Sequence, residues 1–324
     1  MGTWRRVATL GAALAMVALA QGAEPRRLGP YGEKVLVLAF SPGGSLLAVG
    51  AGDRTVTVRD VETGEEQWHL EPPTGSVVSA AFSPDGRRLA AGSADGWIVV
   101  WDLSTGQVVW RGRASAAAVL QLGFSADGAL LLSGSSDQRV RLWDAGTGEK
   151  RATLTGAGRA AAISPDGCLV VTGGERVPLR IWDIASGKPI LTFLRYGGTA
   201  LAFAPSGKVV ACGRLGGALA LWDIYTQEIL EQETHERWAD VTAVAFSPDG
   251  KLVAVGYGDE QGTVRLFDAA TGEQLYSWAE HRGAVTAVAF SPDGRLLASA
   301  ALDGAIVLRE LEESSPDNGR KEGG

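Results

Sequence analysis

Short apolar segments recur along almost the whole chain, and small polar turns separate them. In each unit an apolar segment ends in Phe or a close substitute, and a turn of the Ser-Pro-Asp-Gly type follows it. A second apolar segment comes next, and then a third in which polar and apolar residues alternate, as in residues 139–143. Such alternation is typical of a β-strand with one exposed face. Because residues 24–310 show no convincing amphipathic helix pattern, we expect an all-β chain.

Two landmarks repeat in step and define the length of the unit. The turn glycines lie 39 to 44 residues apart, and the residues that end the third strands keep a similar interval. The glycines are Gly44, Gly86, Gly128, Gly167, Gly207, Gly250 and Gly294. The strand-end residues are Asp60, Asp102, Asp144, Asp183, Asp223, Asp268 and Glu310. This agreement predicts seven units, each of four antiparallel strands.

Trp-Asp ends the third strand in several units, and a Thr-Gly turn often follows it. The pairs are Trp101-Asp102, Trp143-Asp144, Trp182-Asp183 and Trp222-Asp223, with Phe267-Asp268 as a near match and Arg59-Asp60 and Arg309-Glu310 as divergent copies. Together with the unit length, these pairs resemble the WD-repeat β-propeller family. The resemblance implies a seven-bladed β-propeller of four-stranded antiparallel blades that serves as an interaction scaffold.

One feature of that family is incomplete in this chain. Well-formed WD blades contain a buried, hydrogen-bonded set of His, Ser or Thr, Asp and Trp, and the last unit has His281, Ser299 and Asp303 but Arg309 in place of Trp. No unit has the complete set. We therefore expect the blades to be held together mainly by apolar packing, and we expect no functional site in this network.

The ends of the chain predict how the ring closes. The seventh unit lacks a fourth strand, because its third strand ends near Glu310 and the chain turns polar over residues 312–316. Leu28 lies twelve residues before Phe40, as Trp278 lies twelve residues before Phe290. We therefore expect the N-terminal segment, residues 24–29, to supply the missing outer strand of the last blade and to cover an open sheet edge. The propeller would then span residues 21–310, followed by a disordered polar tail over residues 311–324.

The N-terminus has the pattern of a secretion signal. Arg5 and Arg6 precede an apolar run over residues 7–20 that ends in small side chains, and we expect cleavage after Ala20. Residues 1–20 would then be a signal peptide of an exported protein, either periplasmic or secreted, by the Sec or the twin-arginine route. The alternative is a retained N-terminal membrane anchor, although the run of 14 residues is short for a bilayer, which takes about 20.

Charge and motifs limit the possible chemistry. The chain has 30 basic and 37 acidic side chains, a net charge of −7, and no basic run beyond adjacent pairs, which argues against a nucleic-acid partner. His69, His235 and His281 fall in three different units without metal-ligand spacing, so we expect structural or solvated roles for them. The sequence contains neither a Gly-x-Ser-x-Gly motif nor a phosphate-binding loop. We therefore expect no enzyme activity, no metal and no cofactor.

The two cysteines are expected to remain free. Cys168 and Cys212 fall on corresponding strands of neighbouring blades but are offset by four positions. Four strand residues span about 13 Å, whereas a disulfide needs Cα atoms within about 7 Å. We predict two free thiols, both mostly buried.

The sixth unit departs from the minimal repeat in two loops that open on the same face. Its second-to-third-strand loop, residues 256–261, is about two residues longer than the others, and the connection that enters the unit contains a Trp among charged residues. An exposed Trp and Tyr beside charges would suit a binding hot spot. The alternative is that Trp238 packs between blades and the charges are merely solvated. The candidate partner-binding residues are His235, Arg237, Trp238, Asp240, Tyr257, Asp259 and Glu260.

The first strands of the units bear on the choice between binding and catalysis. They line the axis of a propeller, and in units six and seven they read Val-Thr-Ala-Val-Ala-Phe, which is small and apolar. We therefore expect a monomeric ring that binds a protein or peptide without catalysis. The alternatives are a small-ligand sensor or enzyme domain that uses the central channel, or a structural propeller without a specific partner.

Overall fold

The strands of the computed structural model account for the repeat. The structure describes residues 17–18, 24–29, 33–71, 75–175, 177–193, 197–232 and 239–313. Two short strands come first, β1 (Val17–Ala18) and β2 (Arg26–Leu28). The described residues form seven four-stranded antiparallel sheets and contain no helix, which confirms the predicted all-β propeller.

The blades follow one another along the chain. Blade 1 contains β3 (Val35–Phe40), β4 (Leu46–Ala51), β5 (Val56–Asp60) and β6 (Glu66–Leu70). Blade 2 contains β7 (Val77–Phe82), β8 (Arg88–Ser93), β9 (Trp97–Asp102) and β10 (Gln107–Arg113). Blade 3 contains β11 (Val119–Phe124), β12 (Leu130–Ser135), β13 (Arg139–Asp144) and β14 (Lys150–Thr155). Blade 4 contains β15 (Ala160–Ile163), β16 (Leu169–Gly174), β17 (Val177–Asp183) and β18 (Lys188–Phe193). Blade 5 contains β19 (Ala200–Phe203), β20 (Val209–Gly213), β21 (Leu219–Asp223) and β22 (Ile229–Gln232). Blade 6 contains β23 (Val241–Phe246), β24 (Leu252–Tyr257), β25 (Thr263–Asp268) and β26 (Gln274–Ala279). Blade 7 contains β27 (Val285–Phe290), β28 (Leu296–Ala301) and β29 (Ile306–Glu310), and β30 (Glu312–Glu313) follows it.

The N-terminal strand β2 completes blade 7, as predicted. It pairs antiparallel with β29, with Leu28 opposite Ile306. Leu28 also packs over Gly64 in a turn of blade 1. The Arg26 guanidinium donates hydrogen bonds to the backbone carbonyls of Val61 and of the next residue along the chain, both in blade 1. The strand therefore joins the last blade to the first and covers the edge of β29.

Hydroxyl groups also join the first strands of neighbouring blades around the axis. Thr286 Oγ1 in blade 7 donates to the Val35 carbonyl oxygen in blade 1 at 2.8 Å. Thr199 Oγ1, at the entrance to blade 5, donates to the Val241 carbonyl oxygen in blade 6 at 2.7 Å. Hydrogen bonds along the inner wall of the ring therefore also join blade 7 to blade 1, where the two ends of the chain meet.

The core lies between the blades, where glycines allow a close approach. A Cβ at Gly92 in β8 would lie 2.7 Å from Val119 Cγ1 in blade 3, and one at Gly256 in β24 would lie 2.5 Å from Val285 Cγ1 in blade 7. Both valines are completely buried. Ala300 takes the corresponding position in blade 7. Apolar packing between blades therefore dominates, in agreement with the incomplete polar sets.

In the last blade the polar set is partial and Arg309 takes the place of its Trp. His281 contacts Ser299 Oγ through Nε2 at 2.8 Å and Asp303 Oδ1 through Nδ1 at 3.3 Å. Burial lowers the pKa of His281 and favours its neutral form. Arg309 forms an ion pair with Glu280, and its guanidinium carbon lies 4.7 Å from the centre of the Trp278 ring. The arginine thus links blades 6 and 7 through charge and a cation–π contact.

The cysteines are free, but the predicted burial is wrong for Cys168. Cys212 is buried in blade 5, whereas Cys168 is exposed. Cys168 lies at the exit of a Ser-Pro-Asp-Gly turn, where its N–H donates to Asp166 Oδ1 at 3.0 Å, and β16 begins only at Leu169. The residue therefore faces solvent as a turn residue.

The packed part of the chain extends slightly beyond Glu310. Leu311 is buried, and its N–H donates to the Arg295 carbonyl oxygen at 2.7 Å. Leu103 makes the same contact with Arg87 in blade 2, so Leu311 belongs to the repeat and not to the tail predicted from residue 311. The next two residues form β30, which pairs with β1. Residues 314–324 lie outside the described residues.

One turn holds a glutamine in a conformation that favours glycine. Gln227 has a φ of 60°, where the corresponding turns of the other blades place Gly64, Gly106, Gly148, Gly187 and Gly272. A left-handed conformation costs a non-glycine residue roughly 1–2 kcal/mol, partly offset by the greater freedom of glycine in the unfolded chain. We expect Gln227→Gly to raise the free energy of unfolding by about 0.5–1 kcal/mol in chemical denaturation.

The matched control for this substitution is the reverse change in blade 4. Gly187 has a φ of 64°, and a Cβ there would meet no atom within 4 Å. Gly187→Gln therefore tests the backbone alone and should lower the free energy of unfolding by a similar amount. Unchanged stability in both variants would contradict this account of the turn.

Candidate functional site

The ring has two faces, and different turns form each of them. We call the loop face the one formed by the connections between blades and the turns between second and third strands. The opposite face, the turn face, contains the Ser-Pro-Asp-Gly turns and the turns between third and fourth strands. Neighbouring turns on the turn face interlock, since a Cβ at Gly86 would lie 3.6 Å from the Pro42 ring. Sequence variation between blades is therefore easier to accommodate on the loop face.

Of the candidate residues in the sixth unit, three lie outside the described residues and one is buried. His235, Arg237 and Trp238 belong to the first group. Tyr257 is only 1% exposed, so the expectation of an exposed Tyr ring is wrong. It ends β24 and packs into the core between blades 5 and 6. Burial raises the pKa of its phenol to about 12, against the opposing charge of Arg265, so the hydroxyl stays protonated.

The three acidic candidates do lie together on the loop face. Asp240 is exposed, its Oδ1 accepts a hydrogen bond from Gly216 N at 2.8 Å, and its carbonyl oxygen accepts one from Gly258 N at 2.9 Å. Asp240 thus ties the turn of blade 5 to the loop of blade 6. Asp259 is partly buried, and its Oδ1 accepts a hydrogen bond from the Thr263 N–H at the start of β25 at 2.9 Å, while Glu260 is exposed.

An exposed leucine that the repeat pattern did not single out lies beside Asp240. Leu215 lies in the turn between β20 and β21, next to Gly216, and is 48% exposed. Leu302 occupies the corresponding turn of blade 7 and is 38% exposed. The signal was available, because a large apolar residue stands in a turn where other units have small or polar residues. Its proximity to Asp240 was not available, since the two residues belong to different blades.

A central cavity opens beside Leu215. It has a volume of about 480 Å³, and Leu215, Asp240, Thr199, Arg159 and Glu175 are among its lining residues. Arg159 donates to Glu175 Oε1 at 2.5 Å, which pairs the two opposite charges at the mouth. A second cavity of about 340 Å³ shares part of this lining and is mostly apolar. The mouth of the channel between blades 4 and 6 therefore combines an exposed leucine, Leu215, with charged side chains that hydrogen bonds hold in place.

The histidines and the acidic groups do not converge on a single point in the described part of the chain. His69 is exposed beside Glu66, and His281 is buried in blade 7. Among the described residues, no group of three or more His, Cys, Asp or Glu side chains could hold a metal ion. The same part of the chain has no helix with the length and apolar character needed to cross a bilayer.

Comparisons with known proteins identify the repeats. The family model described as "IFT122 first beta-propeller" matches residues 34–256, which is more than half of the chain. The model described as "WD domain, G-beta repeat" matches residues 272–309. A probable serine/threonine-protein kinase PkwA of Thermomonospora curvata is 56% identical over 48 residues. That match covers 15% of this chain and 6% of the relative's length, so it concerns about one repeat.

Proposed function

Since the chain belongs to the WD-repeat β-propeller family, we propose that it is an exported platform that binds a protein partner on its loop face and catalyses no reaction itself. Propellers with WD repeats generally act as scaffolds for protein interactions. We further propose that the ring is a monomer. The observation that supports the loop face most strongly is the exposed Leu215 at the mouth of the central cavity.

Leu215 has the surroundings of an interface anchor. Its turn is fixed by the hydrogen bond from Gly216 N to Asp240, so the leucine is presented on a rigid support. Burial of a leucine side chain contributes about 1.5–3 kcal/mol, whereas most contacts around an anchor contribute little. A partner that covers Leu215 would also contact the Asp240 carboxylate, which adds specificity to the apolar contact.

A small ligand in the central channel has less support. The hydroxyls of Thr199 and Thr286 donate to strand carbonyls of the next blade, and Arg159 pairs with Glu175. Small-molecule sites usually present a few polar groups that converge on the ligand. The two threonine hydroxyls instead join neighbouring blades, and Arg159 pairs with Glu175 within blade 4, so these polar groups do not converge on a ligand.

Leu215→Ala tests the proposed binding face. We expect it to weaken binding of the partner by tenfold or more, about 1.4 kcal/mol, because the apolar anchor is removed without a new charge. The partner would be purified from the exported fraction with the intact propeller, and its dissociation constant measured for each variant. The matched control is Ile190→Ala, since Ile190 is 53% exposed but lies on the outer strand of blade 4. If both variants keep the wild-type melting temperature, equal weakening by both or by neither would contradict the assignment.

Export is tested by the mass of the mature chain. The proposal is supported by Arg5, Arg6 and the apolar run that follows them, of which the structure describes only Val17–Ala18. Intact-mass analysis of protein from the envelope or the medium should give a chain that begins at or near Gln21. Recovery only as the full-length chain in the cytosol would refute export, and a full-length chain in the membrane fraction would favour a retained anchor.

A further inference from the structure

The loop face over blades 5 to 7 forms one continuous surface. We call it the 5–7 surface and define it by Leu215, Asp240, Asp259, Glu260 and Leu302. The two leucines lie in the corresponding turns of blades 5 and 7, and the three carboxylates lie between them at blade 6. The order along the surface is therefore apolar, acidic, apolar.

Direct contacts connect the parts of this surface. On one side, the Asp240 side chain accepts a hydrogen bond from Gly216 N, and the Asp240 carbonyl oxygen accepts one from Gly258 N. On the other side, Gly262 at the end of the blade 6 loop packs against His281 and the Gly283 carbonyl. A Cβ at Gly283 would lie 3.6 Å from Leu302 Cβ. The surface thus runs from blade 5 to blade 7 without a gap in the described chain.

Blades 6 and 7 form an acidic sector of the molecule when both faces are counted. Residues 239–313 contain twelve acidic and five basic side chains, a net charge of −7. Residues 75–155, which form blades 2 and 3, contain seven acidic and eight basic side chains. Most of the carboxylates in residues 239–313 lie on the turn face or beyond β29, so they do not belong to the 5–7 surface. On the surface itself, Asp240, Asp259 and Glu260 outnumber Arg214 and the exposed Arg282. The 5–7 surface therefore has a small excess of negative charge, which favours a cationic partner.

We propose that the 5–7 surface binds a basic segment of a partner protein, whose Lys or Arg side chains face Asp240, Asp259 and Glu260. Apolar residues on either side of these cations cover Leu215 and Leu302. The proposal rests on the proposed function and adds the chemistry of the partner to it. When the partner covers a leucine that flanks the carboxylates, water is excluded from the ion pairs between the two proteins. The attraction within each pair is then stronger than in a pair exposed to solvent.

The test uses synthetic peptides on an array, probed with the purified full chain. The basic series has two leucines at graded spacing with lysines between them. The acidic series has glutamate in place of lysine, and a third series has alanine in place of leucine. We expect binding of the basic series only, with an affinity that falls as ionic strength rises. Equal binding of the acidic series, or no binding of any basic peptide, would overturn the proposal.

Charge-neutral variants locate the binding on the chain. The double variant Asp259→Asn with Glu260→Gln keeps the shapes of both side chains and should weaken the best basic peptide about tenfold, since two carboxylates that face its cations lose their charge. The matched control is Glu273→Gln, which removes an exposed carboxylate from the turn face of the same blade and should leave the affinity unchanged. Equal affinity for the double variant and the wild type would overturn the assignment to this surface.

The outcome is separable from that of the proposed function. If Leu215→Ala weakens binding of the purified partner while no basic peptide binds, the loop-face platform stands and the basic segment is wrong. If Leu215→Ala leaves partner binding intact, the platform on this face is wrong as well.

Discussion

Deletion of residues 24–29 is expected to lower the melting temperature of the propeller by about 10 °C, because it removes several kcal/mol of packing and pairing. The deletion takes away β2, which pairs with β29 through Arg26, Arg27 and Leu28. It also uncovers the turn at Gly64 and exposes a sheet edge that can pair with a second molecule. Circular dichroism measures the melting temperature, and light scattering detects the oligomers that we expect to form.

Two matched truncations distinguish the closing strand from the rest of the termini. Deletion of residues 1–23 retains β2 but removes β1, and deletion of residues 314–324 removes the polar tail. Neither should lower the melting temperature appreciably, because neither removes β2 or the core residues of blade 7. A chain without residues 24–29 that melts at the wild-type temperature would refute closure by the N-terminal strand.

Asp137→Ala is expected to lower the free energy of unfolding by about 3 kcal/mol, because it leaves a buried guanidinium without its counter-charge. Arg141 is buried, and its Nη2 lies 2.5 Å from Asp137 Oδ2. Ser115 Oγ donates to the same carboxylate at 2.9 Å. The control is Arg151→Ala, which breaks an exposed ion pair with Asp144 and should change stability little. Equal stability losses in the two variants, measured by chemical denaturation at neutral pH, would contradict the account.

The same carboxylate gives an acid limb to the stability curve. Burial raises the pKa of Asp137, but the hydrogen bonds from Arg141 and Ser115 outweigh it and lower the pKa to about 2, from 3.8 in the unfolded chain. A lowered pKa in the folded state contributes stability that is present above pH 3.8 and is lost as the pH falls towards 2. Asp137→Ala should therefore lose less stability than the wild type between these pH values. A parallel loss in both proteins would show that other groups cause the acid limb.

The repeat register determined how much of the fold could be predicted. The landmarks around each turn gave the blades, and the distance from Leu28 to Phe40 gave the closing strand, because both depend on spacing along the chain alone. The same register also contained the information to predict the burial of Tyr257 and the exposure of Cys168. Tyr257 corresponds to Ser93 and Ala301, which are buried at the ends of second strands. Cys168 corresponds to residues that follow the turn glycine in other blades, and most of these are polar.

The 5–7 surface could be predicted only in part. Asp259 and Glu260 stood out because their loop is longer than those of other units. Leu215 did not, since it lies in an ordinary-length turn and its importance comes from the hydrogen bond between Gly216 and Asp240. That bond joins two blades, and the spacing of residues within one repeat does not contain such information.

Site-specific photo-crosslinking tests the binding face most directly. A photoreactive amino acid would be placed at position 215 on the loop face or at position 225 on the turn face, in cells that naturally produce the protein. Tyr225 is 70% exposed at the opposite end of β21, so the control probe is at least as accessible as the one at position 215 but lies on the opposite face. The proposed platform predicts a discrete protein adduct from position 215 and none from position 225. Adducts from position 225 alone would contradict it.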